Sequence, residues 1–131
     1  MTGNILMETQ ERTYRHRLFG TITVKRIGGS LFFPALRCAR KLLFLMPQRA
    51  LIQSGALYGY SLENGRLPKD AMVEGHDLWK LIFRCKHRRP LLAKSFYNWI
   101  YDTVYPDMFE HNSVMQIVEH ISDDIRRTRN A

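Results

Sequence analysis

The chain has 131 residues, of which 45% are hydrophobic, so it is long enough for one domain with a substantial core. Lysine and arginine number 20 against 12 aspartate and glutamate, and the net charge of +8 favours a negatively charged partner, either nucleic acid or an acidic protein face. No stretch approaches the roughly 20 apolar residues of a membrane span, and the N-terminus lacks the hydrophobic region of a signal peptide. We therefore expect a cytoplasmic protein without membrane contact.

The N-terminal quarter of the sequence predicts an arm followed by a β-hairpin. Residues 1–17 carry no strong hydrophobic pattern and are predicted to form an N-terminal arm. Residues 18–27 are rich in β-branched and aromatic side chains, which favour a strand. Gly28 and Gly29 are typical of a two-residue hairpin turn, so residues 30–33 are predicted to form the returning strand.

A helix is predicted directly after this hairpin, over residues 35–45. Pro34 suits the first turn of a helix, and apolar residues recur after it at spacings of three and four. Pro47 ends this predicted helix, and residues 48–53 suit one further short helical turn. The apolar stripe of the predicted helix consists of Leu36, Ala39, Leu42 and Leu43.

A second hairpin is predicted over residues 56–73. Residues 56–62 contain two tyrosines and favour a strand, and Asn64-Gly65 is a strong signal for a short hairpin turn. Residues 66–73 are predicted to form the partner strand, at a sheet edge or with a bulge, because Pro68 has no amide hydrogen to donate.

The rest of the chain is predicted to be helical, over residues 75–85, 90–105 and 113–127. The second of these helices is expected to end at Tyr105-Pro106. Because the strands come in short paired runs and nothing indicates a parallel βαβ unit, the fold class is predicted to be α+β. We expect two short β-hairpins packed with three to four helices, plus a C-terminal amphipathic helix. The inward residues are predicted to be Leu78, Leu81, Ile82 and Cys85 in the first helix, and Phe96, Trp99 and Ile100 in the second.

The predicted C-terminal helix, within residues 109–131, carries an aliphatic stripe that needs a partner. The helix either packs onto its own domain or contacts a second copy of the chain as a dimerisation element. A homodimer would present two basic surfaces, as two-fold DNA-binding proteins do. The predicted dimer interface consists of Val114, Ile117, Val118, Ile121 and Ile125.

Two basic surfaces are the candidate binding sites. The first lies at the junction of the two helices before and after Pro90, where Lys80, Arg84 and Arg88 recur at helical spacing. Arginine can pair bidentately with phosphate oxygens, so the first surface is predicted to bind nucleic acid, although a solvated face or an acidic protein partner would suit the same pattern. The predicted nucleic-acid-binding residues are Lys80, Arg84, Lys86, His87, Arg88, Arg89 and Lys94, with Arg37, Arg40 and Lys41 as an auxiliary patch. Whether the two surfaces are continuous is left open.

The remaining chemistry-bearing residues predict no catalytic site. The five histidines are scattered, and the sequence has no HExxH, CxxC or glycine-rich phosphate loop, so we expect no enzyme activity, metal or cofactor. Cys38 and Cys85 each fall on the apolar side of a predicted helix and are interpreted as buried small hydrophobic residues, with a disulfide between them as the alternative. Tyr97 and Tyr101 suit either a half-buried rim or a surface that stacks on bases.

One family resembles this chain in the order of its residue types, over about residues 18–108. The matching positions are Ser30-Leu31-Phe32-Phe33 before a helix, Glu74-Gly75, Leu78-Trp79, Leu81, the basic turn from Arg84 to Arg89, Phe96 and Trp99, and finally Val104-Tyr105-Pro106. In these features the chain resembles the Bro N-terminal domain of phage antirepressors and baculovirus repeated-open-reading-frame proteins. The resemblance implies binding to double-stranded DNA or to a repressor, and it implies no enzyme.

Two functions therefore remain as hypotheses. The first is a phage- or prophage-type DNA-binding regulator, similar to an antirepressor, that contacts duplex DNA through the basic patch between the helices. The alternative is a small phage protein-binding inhibitor of a host repressor or defence complex. Either protein would act in the cytoplasm of a bacterial host cell.

Overall fold

A computed structural model describes residues 9–57 and 66–110, and these residues form an antiparallel four-stranded sheet packed against helices. The predicted α+β class is confirmed. The strands are adjacent in chain order: β1 (Thr9–His16), β2 (Gly20–Ile27), β3 (Ser30–Pro34) and β4 (Met72–Glu74). The predicted C-terminal helix and its proposed dimer-interface residues lie outside the described residues.

Strand β1 corrects the prediction of an N-terminal arm over residues 9–16, because Thr9–His16 pair with β2 along their whole length. None of the eight residues of β1 is fully buried, so the strand lacks the apolar alternation that would have marked it in the sequence. Its backbone is instead held by the ladder with β2 and by a 2.8 Å hydrogen bond between the hydroxyls of Thr13 and Thr23.

The hairpin of β2 and β3 forms as predicted. Ile27 pairs with Ser30, which leaves Gly28 and Gly29 as the two-residue turn. Gly28 has a φ of 60°, a conformation that glycine adopts without the steric cost of a side chain.

Strand β4 is shorter than predicted and pairs with β3, with Val73 opposite Phe33. Met72 and Val73, predicted to pair within a separate second hairpin, therefore pair with β3 instead, and residues 58–65 of that hairpin lie outside the described residues. Ala56 and Leu57, predicted to begin a strand, are buried in a turn after a helix, and the Asn64-Gly65 turn lies outside the described residues. The short β4 gains its backbone partners from β3.

The described helices are α1 (Ala35–Lys41), α2 (Pro47–Ser54), α3 (Gly75–Lys86), α4 (Pro90–Asn98), a π-helical segment (Trp99–Val104) and α5 (Tyr105–Glu110). Prolines occupy the first turns of α2 and α4, where a missing amide hydrogen costs little. The two amphipathic helices α3 and α4 form as predicted.

The sequence predicted that the second helix ends at Tyr105-Pro106, but in the structure the helical chain continues past these residues. The amide of Tyr105 donates to the carbonyl of Ile100, five residues earlier, and this wider turn shifts the hydrogen-bond register. Pro106 then falls in the first turn of α5, where a proline is tolerated.

One hydrophobic core joins the sheet to the helices. Phe33, Leu81, Phe96 and Ile100 are fully buried in this core, and Trp99 retains only 5% of its exposure. The predicted inward faces of α3 and α4 are thus confirmed, with buried Leu78, Ile82 and Cys85 completing the first of them.

Both cysteines are buried and free, as expected for small hydrophobic residues, and they form no disulfide. Burial raises the pKa of the Cys38 thiol to about 12, and burial also raises the pKa of the Cys85 thiol. Both side chains are therefore protonated at neutral pH and serve packing rather than nucleophilic chemistry.

Candidate nucleic-acid interface

A surface cleft of about 480 Å³ lies between the connection from α1 to α2 and the junction of α3 with α4. We call it the arginine cleft, because its lining includes Arg49, Arg84, Arg88 and Arg89, together with His87. These residues come from α2, from the end of α3 and from the turn before α4, so the cleft exists only in the folded chain. Arg84, His87, Arg88 and Arg89 were predicted site residues, and the structure brings them together.

The end of α3 holds its arginines in place through Cys85. The carbonyl oxygen of Cys85 accepts hydrogen bonds from the amides of Arg88 and Arg89, at 3.1 and 2.9 Å. The buried Cys85 thiol also donates to the carbonyl oxygen of Leu42 at 3.6 Å, which ties α3 to the residue directly before the opposite wall of the cleft. The backbone that carries the cations is therefore fixed before any ligand binds, which lowers the entropic cost of binding.

The opposite wall of the cleft is apolar and consists of residues 43–46. Helix α1 ends in a Schellman turn, in which the amide of Leu43 donates to the carbonyl of Arg40 and the amide of Phe44 donates to that of Ala39. Leu43 has a φ of 63°, in the left-handed region that usually selects glycine at this position. The helix predicted over residues 35–45 thus ends earlier, and Leu43, predicted to face inward, is 54% exposed.

The electrostatics of the arginine cleft favour an anion. No aspartate or glutamate lines the cleft among the residues that the structure describes, and none of its four arginines is ion-paired with a described carboxylate. Arg84 is oriented by a neutral partner, because its Nη2 donates a 2.7 Å hydrogen bond to Oε1 of Gln53. Cations collected in a concave surface without compensating acids produce a positive potential that attracts phosphate.

Three predicted site residues on α3 and α4 lie away from this cleft. Lys80 forms a 3.0 Å ion pair with Asp77, one turn earlier on α3. Lys86 and Lys94 line a separate apolar groove, and the Lys86 ammonium lies 6.0 Å from the ring centre of Phe83. The predicted basic patch is thus divided between two surfaces of the α3–α4 pair.

The auxiliary patch on α1 also stays apart from the arginine cleft. Arg37 and Arg40 are exposed on α1 and do not line the cleft. Lys41 is half-buried, and its ammonium donates a 2.7 Å hydrogen bond to the carbonyl oxygen of Phe19, while burial lowers its pKa. Lys41 therefore links α1 to the turn between β1 and β2, which is a structural role.

Arg49 is the cleft residue that sequence reasoning missed. It lies in the stretch expected to form one short turn, and a single cation there gives no periodic signal. In the structure α2 extends over Pro47–Ser54 and packs beside α3, which brings Arg49 into the same cleft as Arg84. The proline at the start of α2 was the available signal for this helix.

The two tyrosines of α4 and the π-helical segment have different environments. Tyr101 is half-buried, and its hydroxyl donates a 2.7 Å hydrogen bond to the carbonyl oxygen of Gly75. Tyr97 is 45% exposed and its ring centre lies 4.6 Å from that of Tyr101. The rim interpretation suits Tyr101, whereas Tyr97 is accessible at the edge of the apolar groove.

Comparison with family models, with curated proteins and with solved structures finds no match to this chain. Among the described residues there is no group of histidines, cysteines and carboxylates suited to a metal ion. The helices within residues 9–57 and 66–110 include none with the length and apolar character needed to span a bilayer.

Proposed function

We propose that the protein binds double-stranded DNA through the arginine cleft and acts as a regulator of the phage antirepressor kind. The observation that carries this proposal is the convergence of four arginines from three segments on one cleft without a lining carboxylate. The resemblance to the Bro N-terminal domain supports the same function, because it covers the helix junction that supplies Arg84, Arg88 and Arg89. The protein would act in the cytoplasm of a bacterial host.

Arginine suits the proposed contact because its planar guanidinium forms paired hydrogen bonds with phosphate oxygens. Each phosphate that an arginine neutralises releases counterions, so that binding weakens as salt increases. Four such contacts would give a slope of about −3 to −4 in a plot of log affinity against log salt. Contacts of this kind set affinity and orientation, and base contacts would add sequence preference.

A fluorescence-anisotropy titration with random-sequence duplex DNA, at salt concentrations between about 50 and 200 mM, tests the proposal. We expect binding at low salt that weakens with the predicted slope and is lost in the variant Arg84→Ala/Arg88→Ala/Arg89→Ala. Circular dichroism would verify that the variant is folded. If the folded wild-type protein shows no binding at the lowest salt, DNA is not its ligand.

A second candidate function is binding to a protein, as an inhibitor of a repressor or of a defence complex. The observation in its favour is the apolar groove of about 420 Å³ between α3 and α4. Trp79, Phe83 and Leu91 line this groove and are 48%, 53% and 80% exposed, which is unusual for large apolar side chains. Failure to bind DNA, combined with binding of a purified repressor that Phe83→Asp abolishes, would favour this function.

A further inference from the structure

Three large apolar side chains project into solvent beside the arginine cleft. Leu43, Leu45 and Met46 are 54%, 94% and 57% exposed, within four consecutive residues. Single exposed apolar residues are ordinary, but a group of three next to four arginines is a distinct surface feature. We call these three residues the apolar ridge.

Leu45 and Met46 lie between two depressions of the protein surface. Both residues, together with Arg49, line the arginine cleft on one side and a second depression of about 620 Å³ on the other. The second depression is completed by Pro47 and the first turns of α2. Side chains that border two depressions stand between them, so Leu45 and Met46 protrude from the surface.

The backbone beneath the apolar ridge is fixed at both ends. On one side the Schellman turn ends α1, and the adjacent Leu42 is fully buried. On the other side the carbonyl oxygen of Met46 accepts a 3.0 Å hydrogen bond from the amide of Ala50, which begins α2. The exposed side chains are thus carried by a preorganised loop rather than by a loose one.

We propose that the apolar ridge is a wedge that inserts Leu45 and Met46 between adjacent base pairs, while the arginines of the cleft hold the flanking phosphates. This inference rests on the proposed function and specifies how the same site would contact DNA. Apolar side chains that enter a base step partly unstack it and bend the duplex, and the arginines beside them hold the bent backbone. The cost of unstacking is offset because the bend lets the duplex follow the cleft.

An anionic lipid surface is the other polyanion that exposed leucines and arginines could contact. DNA is favoured because the arginines converge in a concave cleft, which fits a phosphate backbone, instead of spreading along a flat amphipathic face. Binding to anionic lipid vesicles is therefore one of the outcomes that the test must distinguish.

The wedge is tested with a duplex of about 30 base pairs that carries a donor and an acceptor dye at its ends and 2-aminopurine at internal steps. We expect wild-type binding to raise both energy transfer and 2-aminopurine fluorescence, because the ends approach and a step unstacks. Leu45→Ala/Met46→Ala should keep the affinity within about threefold, since the phosphate contacts remain, and should lose both optical changes. Leu18→Ala removes an exposed apolar side chain from the turn between β1 and β2, away from the ridge, and should behave as wild type.

The outcomes separate the wedge from the proposed function. Binding of wild-type protein without either optical change would overturn the wedge and leave DNA binding intact. Absence of binding by folded wild-type protein would overturn both. Binding to phosphatidylserine vesicles that requires Leu45 and Met46, without bending of DNA, would assign the ridge to a lipid surface instead.

Discussion

Leu43 occupies a left-handed backbone conformation with a φ of 63°, and its side chain is more than half exposed. A leucine in this region suffers a steric clash of about 1 kcal/mol that glycine avoids, and little burial offsets it. Such strain is commonly retained where a side chain has a function outside the core. At Leu43, the candidate function is to widen the apolar ridge.

Leu43→Gly is therefore expected to raise the free energy of unfolding by about 0.5–1 kcal/mol, because it removes the clash at the end of α1. Urea denaturation measures this change. The matched control is Leu45→Gly, which makes the same substitution two residues later at a position without a positive φ, and it should not stabilise the protein. Equal effects of the two substitutions would show that Leu43 is not strained.

Three half-buried tyrosines give the stability a dependence on alkaline pH. Burial raises the pKa of Tyr105 to about 12, and burial also raises the pKa values of Tyr101 and Tyr14. The charge of Glu74 contributes further at Tyr105, and the hydrogen bond to Asp107 contributes at Tyr14. In the unfolded chain these hydroxyls ionise near their ordinary pKa of about 10.

The folded state therefore holds protons that the unfolded state has already released, and stability falls as pH rises above about 10. Below that pH the contribution of these tyrosines is fully present, because both states are protonated. Urea unfolding at a series of pH values from about 8 to 11 should show this fall, and Tyr101→Phe should reduce its slope. A free energy of unfolding that stays constant above pH 10 would contradict the raised pKa values.

Among the helices and strands, the sequence predicted correctly those that have a strong local signal, either a regular spacing of apolar residues or a clear turn. The apolar spacing of α3 and α4 and the two glycines between β2 and β3 sufficed to place those elements. Strand β1 was missed because its partner strand and polar contacts with α5 hold it, and neither leaves a hydrophobic pattern. One such contact is the 2.5 Å hydrogen bond that the Tyr14 hydroxyl donates to Asp107.

The boundaries of α1 and β4 depend on tertiary structure. The end of α1 at Lys41 relies on a leucine in a conformation where glycine is the usual signal, so sequence periodicity extended the helix too far. Strand β4 pairs with β3, which lies about 40 positions earlier in the chain, and a local hairpin rule cannot anticipate that partner.

The sequence predicted the central residues of the candidate site but not every residue that belongs to it. Arg84, Arg88 and Arg89 are close in sequence, so helical spacing and the turn before Pro90 were enough to group them. Arg49 reaches the same cleft only because α2 packs beside α3. Lys80 does not line the cleft and instead forms an ion pair with Asp77. Contacts between distant segments, and competition from nearby carboxylates, decide which cations remain available.

At the scale of the whole molecule, the net charge of +8 would attract any polyanion to some degree. If the arginine cleft holds the DNA, as proposed, the position of the charges should matter as well as their number. Arg37 and Arg40 provide a comparison within the same protein, because they are exposed cations of the same type outside the cleft.

The most direct measurement compares DNA affinity in two variants that lose equal charge, by anisotropy at about 50 mM salt. Arg84→Ala/Arg88→Ala should weaken binding about tenfold or more and reduce the salt slope by about two, whereas Arg37→Ala/Arg40→Ala should stay within about threefold of wild type. Equal weakening in both variants would mean that overall charge, and not the arginine cleft, attracts DNA.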